Sequence, residues 1–189
     1  MESSFRPTRR IIVVLDLAGF AKSFQTQSDE KMAAFVHDYY VACEQTITSG
    51  GGEVIKFIGD ACLAVFPVDL AKNAVDAAVE LHSTVAAISK QHQIPSALGA
   101  NLHLASAIEG EFGAGPSKRR DIIGRGVNQT FLLGRGPGIR ISEPVYRALP
   151  SSARSRWNKH KPPAVYHLDE AQGIYEGAGK TPAANALRW

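Results

Sequence analysis

The chain is poor in the residues that staple or anchor small proteins, with only two cysteines, two methionines and two tryptophans among 189 residues. Cys43 and Cys62 lie far apart and form neither a CxxC pair nor a zinc ligand set. No long apolar run is present near the start, since Ile11 to Leu15 is far too short to cross a bilayer. No charged-then-apolar leader precedes that run, which argues against secretion. These absences predict a cytoplasmic, reduced protein with no membrane insertion. There is also no internal repeat, zinc-finger spacing or aromatic RNA-binding signature.

What is present is ordinary globular composition, 44% hydrophobic and 21% charged, which excludes a disordered or fibrous chain. A chain of this length buries about two-thirds of its unfolded surface and folds without a staple. The formal charge is +3, from 21 basic and 18 acidic residues. Basic residues gather in three places: Arg6, Arg9 and Arg10; Lys118, Arg119, Arg120 and Arg125; Arg154, Arg156, Lys159 and Lys161. They do not form a stripe and have no aromatic partners, so no nucleic-acid partner is expected.

The apolar pattern predicts a strand over Arg10 to Ala18, a loop over Gly19 to Gln27, and a helix from the cap Ser28 to about Thr48. Gly50, Gly51 and Gly52 then lead into a hairpin, Glu53 to Ile58 and Ala61 to Phe66, turned by Gly59-Asp60. A long helix from Leu70 to about Gln93 and a strand from Leu98 to Ile108 follow. Asp121 to Ile123 reads as extended, Val127 to about Arg135 as a helix, and Ile139 to Ile141 and Ala164 to Leu168 as strands. This order predicts an α+β fold of the ferredoxin-like kind: a mostly antiparallel sheet with helices on one face. The expected division is an N-terminal arm over 1–9, one domain over 10–168 and a tail over 169–189.

Asp16 ends a buried strand and Asp60 sits in a tight turn, so both carboxylates point out of a sheet edge. A pair so placed suits Mg²⁺, which takes one or two protein carboxylates plus substrate phosphates. The loop after Asp16 offers a glycine and backbone amides of the sort that cradle phosphate. Taken singly, each aspartate is better read as a strand or turn cap.

Three segments give these residues a context: Asp16-Leu17-Ala18-Gly19-Phe20; Gly51-Gly52-Glu53-Val54-Ile55-Lys56 running on to Gly59-Asp60; and Asp121-Ile122-Ile123-Gly124-Arg125-Gly126-Val127-Asn128. In order and spacing they resemble the catalytic domain of the class III adenylate and guanylate cyclases, over roughly residues 9 to 168. The resemblance implies a head-to-tail dimer, either a homodimer or a heterodimer with another cyclase domain, with active sites at the interface. It implies that Asp16 and Asp60 hold two Mg²⁺ or Mn²⁺ ions, with a carbonyl ligand from Leu17 and the amides of Gly19 and Phe20 facing phosphate. Lys56 and Asp121 fall on the positions that select the base, and this pairing implies ATP over GTP. Asn128 matches the residue that orients the ribose. Lys161, with Lys159 near it, falls where a lysine contacts the triphosphate.

One position departs from the family pattern. Four residues after Asn128 the family has an arginine that neutralises charge growing on the α-phosphate, and here that residue is Leu132. Loss of one such donor commonly costs roughly 10²–10³ in rate. Arg125 and Arg135 are the candidate replacements. Arg125 is slightly preferred because it lies in the loop before Asn128, whereas Arg135 is two turns, roughly 10 Å, along the expected helix. Two expectations follow: a slow adenylate cyclase making cyclic AMP and pyrophosphate, or a cyclase-fold module that binds nucleotide and regulates a partner.

Overall fold

The computed structural model describes residues 5–160 and 165–168. Strand β1 (Phe5–Ala18) leads into a one-turn helix, α1 (Phe20–Ser23), and the long helix α2 (Asp29–Ser49). The hairpin β2 (Glu53–Ile58) and β3 (Ala61–Phe66) follows, then helix α3 (Ala71–His92) and strand β4 (Ala97–Phe112). Strand β5 (Arg119–Ile123), helix α4 (Arg125–Phe131) and strand β6 (Gly138–Ser142) come next. Short helices α5 (Glu143–Ala148) and α6 (Ser151–Arg154) and the hairpin β7 (Trp157–His160) and β8 (Val165–Leu168) complete the described chain.

The strands form one sheet in the order β2-β3-β1-β4-β6-β8-β7, with β5 pairing on β4. Every pairing is antiparallel except β4 with β6. The first six major elements thus take the expected ferredoxin-like order. Alternation along β1 explains why its apolar run is continuous. Ile11, Val13, Leu15 and Leu17 enter the larger core with α2 and α3, while Ile12 and Val14 enter a smaller one on the opposite face. A central strand buried on both sides needs apolar residues at every position.

Four features differ from the sequence expectation. Strand β1 begins at Phe5, because residues 5–9 pair with β4 from Gly110 to Ser106, so most of the segment expected as an arm is sheet. Helices are not confined to one face: α4 lies on the side of Ile12 and Val14, where Val127 joins their cluster. Helix α4 also stops at Phe131 rather than near Arg135, and Leu132 is its C-cap. Strand β7 has no counterpart in the sequence reading. The tail over 169–189 lies outside the described residues. Among the described residues no helix is long and apolar enough to cross a membrane.

Close packing sets the position of α4. A side chain at Gly126 would place its Cβ 2.4 Å from that of Ala105 and 2.9 Å from the Ser106 carbonyl, so only glycine lets the helix lie flush on β4.

Candidate active site

The register of β1 with β3 pairs Leu15 with Cys62, which brings the end of β1 beside the start of β3 and hence Asp16 near Asp60. Their proximity has an electrostatic signature. Burial pushes the Asp16 carboxyl above its ordinary range, and the charge of Asp60 pushes it further. The Leu17 backbone N–H and the positive charge of Arg135 act in the opposite direction. Gly19 caps α1 in the left-handed region, at φ 87°, and the buried Phe20 ring stacks on Phe35 of α2 with centroids 6.0 Å apart. That ring fixes the turn of backbone immediately after Asp16.

The two carboxylates fit a divalent cation in one specific sense: they repel each other, and a cation between them removes that repulsion. Among the described residues no group of three or more His, Cys, Asp or Glu side chains could hold a metal. Any divalent cation here would thus have Asp16 and Asp60 as its side-chain donors. The remaining positions would be left to backbone carbonyls, water and phosphate oxygens, a donor set that would suit Mg²⁺ or Mn²⁺.

A cavity of about 320 Å³ opens beside Asp16, roofed by the loop between α4 and β6. Its lining includes Asp16, Asn101, Leu132, Arg135 and Arg140. Arg140, on β6, is 8% exposed and has no carboxylate within ion-pair distance among the described residues. Its guanidinium instead donates to the carbonyls of Arg135 (2.7 Å), Pro137 (3.0 Å), Gly136 (3.1 Å) and Gly138 (3.4 Å). Asn101 Nδ2 donates to the Gly134 carbonyl at 2.9 Å, and Asn101 Oδ1 is buried without a partner. This loop carries Arg135 to the side of Asp16.

The base-selecting candidates meet elsewhere. Lys56 Nζ on β2 lies 2.5 Å from Asp121 Oδ2 on β5, and Asp121 Oδ1 accepts from the Ile122 N–H at 2.8 Å. Arg120 strengthens this junction by pairing with Glu53 on β2 and with Glu109 on β4 at 3.3 Å. Asn128 is exposed on α4, Arg125 is exposed at its start, and Leu132 is 77% exposed at its end. None of Lys56, Asp121, Asn128 or Arg125 lines the Asp16 cavity. Of the two arginines, the structure thus brings Arg135 to the Asp16 cavity and leaves Arg125 outside it. The physical reason is the early end of α4, which frees Leu133 to Pro137 to turn back over the sheet. Lys159 is exposed on β7, and Lys161 lies outside the described residues.

Sequence reasoning missed Arg140 and Asn101. A signal was available for the first: a charge between Ile139 and Ile141 in a strand must find internal acceptors when buried.

No family model matches the chain. The fold is that of the class III adenylyl and guanylyl cyclase catalytic domains. A bacterial light-regulated adenylyl cyclase superposes with a TM-score of 0.76 at 24% identity, over 92% of this chain and 55% of that one. The guanylyl cyclase Cya2 superposes with a TM-score of 0.74 at 20% identity, over 93% of this chain and 98% of that one. By sequence, an adenylate cyclase of Anabaena cylindrica is 25% identical over 185 residues, covering 89% of this chain. The chain spans only 37% of the length of that relative.

Proposed function

We propose that the chain is an adenylate cyclase domain that converts ATP to cyclic AMP and pyrophosphate. The observation that carries this reading is the Lys56–Asp121 pair, 2.5 Å apart, on the same fold as the Asp16–Asp60 carboxylate pair. Lysine donates to the ring-nitrogen acceptor of adenine and aspartate accepts from its amino group, whereas guanine presents the reverse pattern. In the reaction the ribose 3′-oxygen bonds to the α-phosphorus, the bond to the bridging oxygen breaks, and pyrophosphate leaves with the electron pair.

Asp16 and Asp60 would hold two Mg²⁺ or Mn²⁺ ions, which stabilise the attacking and leaving oxygens. The Leu17 carbonyl completes that donor set, and the amides of Gly19 and Phe20 face phosphate. Asn128 orients the ribose. Arg135, rather than Arg125, supplies the positive charge that Leu132 lacks, because it shares the cavity with Asp16. By the resemblance, Lys161, which lies outside the described residues, is assigned to the triphosphate. The separation of the Lys56–Asp121 pair and Asn128 from that cavity favours a site completed between two chains, in a homodimer or with another cyclase domain.

A second reading has its own observation. Leu132 is 77% exposed where the resembled family has its arginine, so a nucleotide-binding regulatory partner remains the competing function. Cyclic AMP formation from Mn-ATP by the purified chain separates the two. Slow turnover that Asp16→Ala abolishes supports the enzyme. Retained ATP binding with no product above the Asp16→Ala background supports the regulatory module.

A further inference from the structure

Among the described residues strand β2 is an edge strand, paired with β3 alone. Its last registered pair is Ile58 with Ala61, so the turn that presents Asp60 consists of Gly59 and Asp60 alone. Gly59 is exposed in the left-handed region, at φ 61°, and a Cβ there would meet nothing within 4 Å. A turn so open has little packing to set the direction of its carboxylate.

Helix α2 supplies a tether. The Tyr40 hydroxyl donates to the Gly59 carbonyl at 2.5 Å. The Tyr40 ring stacks on Phe57 of β2, with centroids 3.8 Å apart and planes at 14°. The stack fixes the ring against the strand, and the hydroxyl fixes the peptide at the tip. Because a peptide unit is planar, holding the Gly59 carbonyl also fixes the Asp60 N–H and the position of the Asp60 Cα from which its side chain projects. Helix α2 is itself anchored in the main core by Met32, Phe35, Tyr39, Cys43 and Ile47, so the tether runs from a well-packed element to an open turn.

We infer that Tyr40 is a positioning residue for Asp60, holding its carboxylate toward Asp16 so that the two bind one cluster of divalent cation. The inference rests on the reading of Asp16 and Asp60 as metal ligands. Tyr40 touches neither metal nor nucleotide; it acts through the Gly59–Asp60 peptide.

The test is Mn²⁺ binding to the full chain by calorimetry and electron paramagnetic resonance, with Tyr40→Phe, Asp60→Asn and the unsubstituted protein compared. Tyr40→Phe keeps the stack on Phe57 and removes only the hydroxyl. It is expected to weaken Mn²⁺ binding roughly three- to tenfold, the range for one lost hydrogen bond. The Gly59 and Asp60 amide resonances in a ¹⁵N spectrum are expected to shift or broaden, while those of the α2 core stay in place. Unchanged Mn²⁺ affinity together with unchanged Gly59 and Asp60 signals overturns the inference and leaves the metal reading intact. No Mn²⁺ binding by the unsubstituted chain, or binding that Asp60→Asn does not reduce, overturns the metal reading and the role of Tyr40 with it.

Discussion

At the scale of single residues, the chemistry turns on where one positive charge sits. The structure sets Lys56 against Asp121 and Asp60 near Asp16; the sequence points to these four residues because each belongs to a short contiguous segment. The choice between Arg125 and Arg135 was not legible, since it depends on the residue at which α4 ends. The structure ends that helix at Phe131 and turns Arg135 toward Asp16. Arg135→Ala is therefore expected to lower cyclic AMP formation by roughly 10²-fold, whereas Arg125→Ala changes it only a few-fold. Steady-state rates with Mn-ATP check this, and equal losses in the two variants would remove Arg135 from its role. On the same logic Lys56→Glu with Asp121→Cys is expected to move nucleotide preference from ATP toward GTP, read as a ratio of kcat/KM values. An unchanged ratio would sink the assignment of that pair.

At the scale of elements, the larger pieces were readable and the joints were not. Periodicity placed α2, α3 and the β2–β3 hairpin within a few residues, because each carries a long apolar face or a strong turn signal. It overran α4, where Leu132 and Leu133 continue the apolar pattern past the point where the backbone leaves the helix. What holds the backbone there lies outside the helix: Arg140 on β6, a few residues further on, and Asn101 on β4, distant in sequence, bind the carbonyls of residues 134–138. One planar fork serves four acceptors, a geometry that a point-like ammonium does not reproduce. Both Arg140→Met and Arg140→Lys are accordingly expected to destabilise the chain by about 1–3 kcal/mol in urea unfolding. The lysine variant should recover little of the loss. Recovery of full stability by lysine would show that charge, rather than the fork, holds the loop.

At the scale of the whole molecule, the small net charge leaves pH dependence to individual buried groups. Burial pushes the pKa values of His82 on α3 and His103 on β4 below the ordinary histidine range. The hydrogen bond that His103 Nε2–H donates to Gln129 Oε1 partly offsets the effect at His103. The unfolded chain therefore takes up protons at a higher pH than the folded chain does. The sign follows from linkage: these groups favour the folded state above the ordinary histidine pKa, about 6.5, and that contribution is lost as pH falls through their folded values. Glu109, held below its ordinary range by Arg10 and Arg120, adds the same sign in a more acidic window. Asp16 has the opposite sign, because its pKa is raised; its contribution is full below the ordinary aspartate range and is lost as pH rises. The metal-free chain is thus expected to lose stability between pH 8 and pH 5, and His82→Leu is expected to flatten that slope without changing the fold. Asp16→Asn is expected to raise stability at neutral pH while abolishing turnover, since it removes a carboxylate that the folded chain holds against the charge of Asp60. Urea midpoints measured across this range test both statements. A slope identical in His82→Leu and the unsubstituted chain would assign the acid sensitivity to other groups, and a lowered midpoint for Asp16→Asn at neutral pH would mean that the carboxylate pair is not under mutual repulsion.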